Sequence, residues 1–345
     1  MARGGAFFAI FVAVCAAAGA AWRADFFFKM MKNITDAKRA LSSLALAVAV
    51  VVAALAPQLA MARVRAFRGT VPDSYNFWLY EPEYADSASA HSGSRYNYRN
   101  RLPLLLFLHG QSLCGNDLNR VRRYGSIAAV EMGRVIDAYV VAPQCNTAGW
   151  RPERLKRIVD WAIVNYNVDP DRVCVMGMSL GGYGTIDYCS AYPDSVAAAM
   201  ALCGGGTAKD FSGLNRVPLW IIHGTADRAV PVSQSRRVVE AMKAAGPTPL
   251  LRYDEWPGVN HGQLARLLYM QETYDWLLSH SRADSPRSVN RWVDIMPEFM
   301  REAYSDMDKA SASANRAQTS AAPSGRKSLR KAASSTAKKR LRKRR

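Results

Sequence analysis

The segment Gly177-Met178-Ser179-Leu180-Gly181 has the pattern G-x-S-x-G, set between an apolar run (VCVM) and a glycine-containing stretch with helical character. A serine at that spot sits on a sharp, strained turn, its hydroxyl lifted clear of the chain, and the chemistry it suits is nucleophilic attack on an acyl carbon. A serine hydroxyl is a weak nucleophile without a base. Of the five histidines, His261 in Pro257-Gly258-Val259-Asn260-His261-Gly262 lies in a turn after the last predicted strand, where an imidazole can swing back to Ser179. His91 sits in a polar stretch, His280 follows a terminal helix, and His109 and His223 precede glycines at strand ends. A base needs an acid to fix its tautomer. Asp227 closes Ile221-Ile222-His223-Gly224-Thr225-Ala226-Asp227, with Asp254 and Glu255 as substitutes. The oxyanion formed on attack needs two N–H donors. Leu180, at a helix start, is one; the Gln111 N–H, after His109-Gly110, is the other. The competing readings are an inert serine in a glycine-rich turn, a solvent-exposed loop histidine and an aspartate that caps a turn.

Something must bring these distant residues together. Leu102–Leu108 (LPLLLFL) reads as a strand buried on both faces. Further strands are expected at Asn76–Tyr80, Ile136–Ala142, Val173–Met176, Val196–Leu202, Val217–Ile222 and Leu250–Tyr253. Between them, Asn116–Tyr124 suits a short helix. Glu153–Tyr166 carries a helical stripe of Leu155, Ile158, Val159, Ala162 and Ile163, and further helices are expected at Leu180–Ala191, near Ser233–Ala245 and near Gln263–Leu278. Strand and helix alternate with short links, so the class is α/β, a mostly parallel sheet with helices on both faces. In such sheets ligands bind beyond the carboxyl ends of the strands, where His109-Gly110, Ser179, Asp227 and His261 all fall.

The chain of 345 residues carries a net charge of +18, which mapping assigns mostly to its ends. Residues 306–345 hold thirteen Lys/Arg against two Asp, and residues 1–62 hold six against two. The near-neutral body excludes a fold-wide basic face, and no specific nucleic-acid partner is expected. Two apolar stretches, Ala6–Trp22 and Leu41–Ala56, precede Pro57 and Ala60-Met61-Ala62. Together with Lys38 and Arg39 these are the parts of a secretory signal, predicting cleavage after Ala62 and an exported protein; residues 1–29 are then a start-site extension. A membrane anchor of two short helices is the alternative. The expected organisation is 1–62 targeting segment, 63–282 catalytic domain, 283–308 amphipathic helical extension with Val289, Trp292, Val293, Met296 and Met300, and 309–345 basic tail. That tail suits an anionic surface, against the alternative of a solvated segment with no partner. Five cysteines follow the targeting segment, and their spacing fits no zinc pattern, so neither metal nor cofactor is expected. Cys114 and Cys145 follow strand ends in loops that can meet, giving a disulfide in an oxidising compartment or two thiols otherwise.

The runs LHGQSLCGNDL, GWRPERLKRIVDWAIVNYNVDPDRVCVMGMSLGGYGTIDYCSAYPD, LCGGG, PLWIIHGTADRAVPV and PGVNHG resemble the secreted esterase branch of the α/β hydrolases. This branch includes feruloyl esterases, polyhydroxybutyrate depolymerases and phospholipase/carboxylesterases. The resemblance covers about residues 64–280, and the order Ser…Asp…His is that superfamily's. It implies an α/β-hydrolase fold and hydrolysis of a small-molecule, carbohydrate or lipid ester through an acyl-enzyme, with Ser179, Asp227 and His261 as triad and Gln111 and Leu180 as oxyanion donors. It also implies a substrate-lining role for Trp150, whose other reading is a loop-anchoring aromatic. A peptidase on the same triad and a non-catalytic binding protein are the alternative functions.

Overall fold

The computed structural model describes residues 63–82, 101–304 and 307. Eight strands form one sheet: β1 (Arg63–Phe67), β2 (Phe77–Glu81), β3 (Leu102–Leu108), β4 (Tyr139–Pro143), β5 (Val168–Met178), β6 (Ala198–Leu202), β7 (Leu219–Gly224) and β8 (Leu251–Trp256). Their order is β1-β2-β4-β3-β5-β6-β7-β8. The β1–β2 and β2–β4 pairs are antiparallel and the rest parallel. The chain runs outward from β3 to β4, then crosses back to lay β5 on the other side of β3. That reversal opens a crevice above the carboxyl ends of β3 and β5, the place where such sheets bind ligands.

Side chains alternate across the sheet, and each face has its own apolar layer. Leu105 and Phe107 of β3 join Cys174, Met176, Ala198 and Met200 on one face, over helices α1 (Ser126–Glu131) and α6 (Gln271–Leu278). Leu104, Leu106 and Leu108 join Val173, Val175, Ala199 and Ala201 on the other, under helices α2 (Pro152–Asn165), α3 (Leu180–Ala191) and α4 (Ser233–Ala245). The α2 stripe is as the spacing predicts: Leu155, Ile158, Val159 and Ala162 are buried.

Four expectations are corrected. Strand β1 was not foreseen; its R-V-R-A-F alternation is the pattern of an antiparallel edge. The short helix expected at 116–124 is a 3-10 turn over Leu118–Arg123, followed after Gly125 by α1. The terminal helix expected from about Gln263 is three pieces: α5 (His261–Leu264), a 3-10 turn over Ala265–Tyr269, and α6. The amphipathic helix expected within 283–308 is absent among the described residues, where only Pro297–Glu302 forms a 3-10 turn. Proline cannot donate its backbone hydrogen bond, and Pro286 and Pro297 bracket the segment. The extension docks by its irregular backbone instead. Val289, Val293, Ile295 and Met300 are buried, whereas Trp292 is 72% exposed. Trp276 Nε1 donates to the Val289 carbonyl (3.2 Å). Arg287 donates to the carbonyls of Arg216, Val196 and Ala197 at 2.7–2.9 Å. The two apolar stretches, the expected cleavage point, the residues around His91 and the basic tail lie outside the described residues. No helix among those described is long and apolar enough to cross a membrane.

Candidate active site

Ser179 occupies the turn between β5 and α3 with φ 59° and ψ −120°, a conformation that L residues resist and glycine takes freely. The turn exists because its flanks are glycines. A Cβ on Gly181 would lie 1.8 Å from the Leu108 carbonyl oxygen, and one on Gly177 would lie 2.2 Å from the Gly181 oxygen. The helix therefore starts directly against β3. The Ser179 N–H donates to the Leu202 carbonyl (2.9 Å), which pins the turn to β6. Among the described residues nothing hydrogen-bonds the Ser179 hydroxyl, which leaves it open to an incoming group.

Asp227 and His261 come from the loops after β7 and β8. Those loops are zipped by Thr225 N–H to Trp256 O (3.0 Å) and Ala226 N–H to Val259 O (3.1 Å). The Asp227 side chain has no exposure. Its Oδ1 accepts the N–H groups of Ala229 (2.8 Å) and Val230 (2.9 Å), and its Oδ2 accepts from His261 Nδ1 (2.6 Å). A buried carboxylate satisfied three times over cannot rotate away, so it fixes the imidazole with the proton on Nδ1 and the Nε2 lone pair free. His261 itself opens α5, whose start is held by a reciprocal capping box between Asn260 and Gln263. Beside this pair lies Cys203, a fully buried residue directly after β6 with φ 38°. Its sulfur lies within 4.8 Å of the ligand atoms of Asp227 and His261. Burial raises the Cys203 thiol far above its ordinary value, so it is a neutral wall and not a competing nucleophile. These three are also the one group among the described residues with metal-ligand proximity.

On the far side of Ser179 the expected oxyanion loop is held by side chains. His109 Nδ1–H donates to the Gly110 carbonyl (2.8 Å), and Nε2 accepts the Cys145 N–H (3.0 Å). Burial keeps His109 neutral, its pKa lowered to about 4. Arg120 donates to the carbonyls of Ser112 (2.6 Å) and Cys114 (2.8 Å). Neither the Gln111 nor the Leu180 N–H has an acceptor among the described residues, as two prospective anion donors require.

Sequence reasoning also named residues that the structure places elsewhere. Trp150 is 7% exposed, stacks edge-on against His109 and Tyr75 and donates to the His109 carbonyl (3.3 Å). These contacts are those of a loop anchor, the second of its two readings. Cys114 and Cys145 do meet, sulfur beside sulfur, but as free thiols; burial lifts Cys114 to about 11. Asp254 accepts from Trp220 Nε1 (2.7 Å) and Glu255 from Arg236, so neither substitute competes for His261. Sequence reasoning missed Cys203, Tyr124 and His223. The last is buried, hydrogen-bonds Ser235 Oγ (2.7 Å) and the Val230 carbonyl (2.9 Å), and lies 3.5 Å from Asp227. Cys203 and His223 stand at strand ends, which was the available signal; Tyr124 had none.

Residues 146–296, which contain Ser179, Asp227 and His261, match the sequence profile of the Dienelactone hydrolase family. With the strand order above, that match goes with the α/β-hydrolase fold. Among curated proteins, the chain is 30% identical over 164 residues to a bifunctional acetylxylan esterase/xylanase of Neocallimastix patriciarum. The match takes in 45% of the chain and 24% of that protein, so the chain spans about a quarter of the relative's length. Among solved structures, a thermostable esterase superposes with TM-score 0.49 at 25% identity, covering 64% of this chain and 63% of its own. A feruloyl esterase module from Clostridium thermocellum gives TM-score 0.45 at 14% identity, over 68% and 90%.

Proposed function

We propose that this chain cleaves carboxylic esters through a serine acyl-enzyme. The observation that carries the reading is the Asp227–His261 hydrogen bond of 2.6 Å beside a serine held at φ 59°. In this reading Ser179 Oγ attacks the acyl carbon while His261 Nε2 takes its proton. Asp227 stabilises the resulting imidazolium, the Gln111 and Leu180 N–H groups receive the oxyanion, and His261 returns the proton to the departing alkoxide. Water then repeats the cycle on the acyl-enzyme. No contact joins Ser179 to His261 in the free protein, and such contacts commonly tighten only in the substrate complex. The name of the acetylxylan esterase/xylanase relative favours an acyl group borne on a carbohydrate such as xylan as substrate. Export after Ala62, and attraction of the tail to an anionic surface, complete the reading for the parts of the chain beyond the described residues.

The test is hydrolysis of p-nitrophenyl esters from acetate to octanoate by the full chain and by Ser179→Ala. Hydrolysis by the first, reduced by about 10³-fold or more in the second, is expected. Equal rates in both would remove the serine mechanism, and cleavage of peptidyl amides in preference to esters would move the reading to a peptidase.

A further inference from the structure

We propose that Tyr124, which no sequence signal marks, is a catalytic residue whose phenolic hydrogen is a third donor to the oxyanion; this rests on the ester-hydrolase reading above. Tyr124 sits between the 3-10 turn over Leu118–Arg123 and α1, fifty-five residues before Ser179 in the chain. Its hydroxyl oxygen accepts the Gly110 N–H at 2.8 Å and the Ser112 hydroxyl at 3.4 Å. Both are donated to the oxygen, so its two lone pairs are spent and its own hydrogen is not. No acceptor among the described residues takes that hydrogen.

The space over Gly110 lies within reach of that O–H. A Cβ built on Gly110 would lie 2.9 Å from the Tyr124 oxygen and 3.3 Å from Ser179 Cβ. That one point touches both phenol and nucleophile, and only the absence of a side chain at residue 110 keeps it open. The same loop offers the Gln111 N–H, the next donor along. A substrate oxygen entering beside Ser179 therefore meets a hydroxyl already oriented by two accepted hydrogen bonds, which is the preorganisation that stabilises developing charge without reorganisation. Burial raises the phenol above its ordinary value, so it keeps its proton through the neutral range.

The alternative is that Tyr124 only anchors Gly110, and the experiment separates the two. Ester hydrolysis is measured against pH for the full chain with tyrosine, phenylalanine, or mono-, di- and tetrafluorotyrosine at position 124. Tyr124→Phe is expected to lower kcat by roughly 10²-fold with KM changed little. Across the fluorinated series, the alkaline fall of kcat/KM is expected to move to lower pH in step with phenol acidity, because ionisation destroys the donor and strengthens the acceptor. An alkaline limb that ignores fluorination would overturn the proposal in favour of anchoring, as would a Tyr124→Phe rate within threefold of wild type. Absence of ester hydrolysis by the unaltered chain would remove the ester-hydrolase reading itself and this proposal with it. An active parent with an indifferent Tyr124 would remove this proposal alone.

Discussion

Histidine is used in this molecule in two opposite ways, and burial is what separates them. His261 is half-buried at the mouth of the site with one nitrogen committed to Asp227. His109 and His280 are fully buried, and desolvation lowers each to about 4. His280 donates from Nδ1 to the Trp276 carbonyl (2.7 Å) and leaves Nε2 unpartnered in the interior. Protonation would place a charge there. A histidine whose folded pKa lies below its unfolded value of about 6.5 contributes stability that is whole above that value. The contribution drains as pH falls toward about 4. For His280 the full effect is at most about 3 kcal/mol. The urea midpoint is expected to drop between pH 7 and pH 4.5, and to drop less in His280→Gln; parallel curves for the two proteins would assign the acid sensitivity to other groups. At this scale the sequence was legible where chemistry forces a short pattern. Ser179 is bracketed by glycines, Asp227 closes a loop after the apolar strand β7, and His261 lies in the turn after the last strand. It was silent on Tyr124, whose place beside Ser179 is set by a fold contact between distant segments and not by any neighbour in the chain.

At the scale of elements, the decisive contact is the one between α3 and β3. The loop after β3 carries Gln111 and the start of α3 carries Leu180, and the proposed pairing of their N–H groups on one oxyanion requires helix and strand nearly to touch. The side chain missing from Gly181 permits it, because a Cβ there would overlap the Leu108 carbonyl at 1.8 Å. Carbonyl and helix backbone cannot yield as a flexible side chain would. Gly181→Ala is expected to cost about 3 kcal/mol or more, read as a lowered melting temperature. An unchanged melting temperature would show that α3 tilts away freely. The strands that build this contact were readable because β3, β6, β7 and the Val173–Met176 part of β5 are apolar runs too short for helices. The 283–304 extension was not. Its apolar residues at Val289, Val293 and Met300 mimic a helical stripe, yet they are selected by the surface they cover, with Ile295 buried between them and Trp292 left outside.

Viewed whole, the molecule is a rigid sheet with two apolar layers, strapped at one side by that extension. Arg287 grips three carbonyls ahead of β6 and β7, and Arg252 of β8 holds Asp294 at 2.7 Å. A frame of this kind can hold one residue in a conformation that residue would leave if it could. Ser179, at φ 59° and ψ −120°, is that residue. Its backbone stores about 1–2 kcal/mol against a total stability of about ten. Glycine would take the same angles without complaint and, after its own entropy loss, return a gain of about half to one kcal/mol. Ser179→Gly is therefore expected to melt a degree or more above the parent while, on the proposed mechanism, losing ester hydrolysis by about 10³-fold or more; a lower melting temperature would mean the serine conformation is not strained. On the proposed mechanism, one change of side chain separates this protein from a hardier and silent version of itself. On that reading, selection for persistence alone would drift toward that version, and a serine at position 179 is what selection for turnover would leave behind.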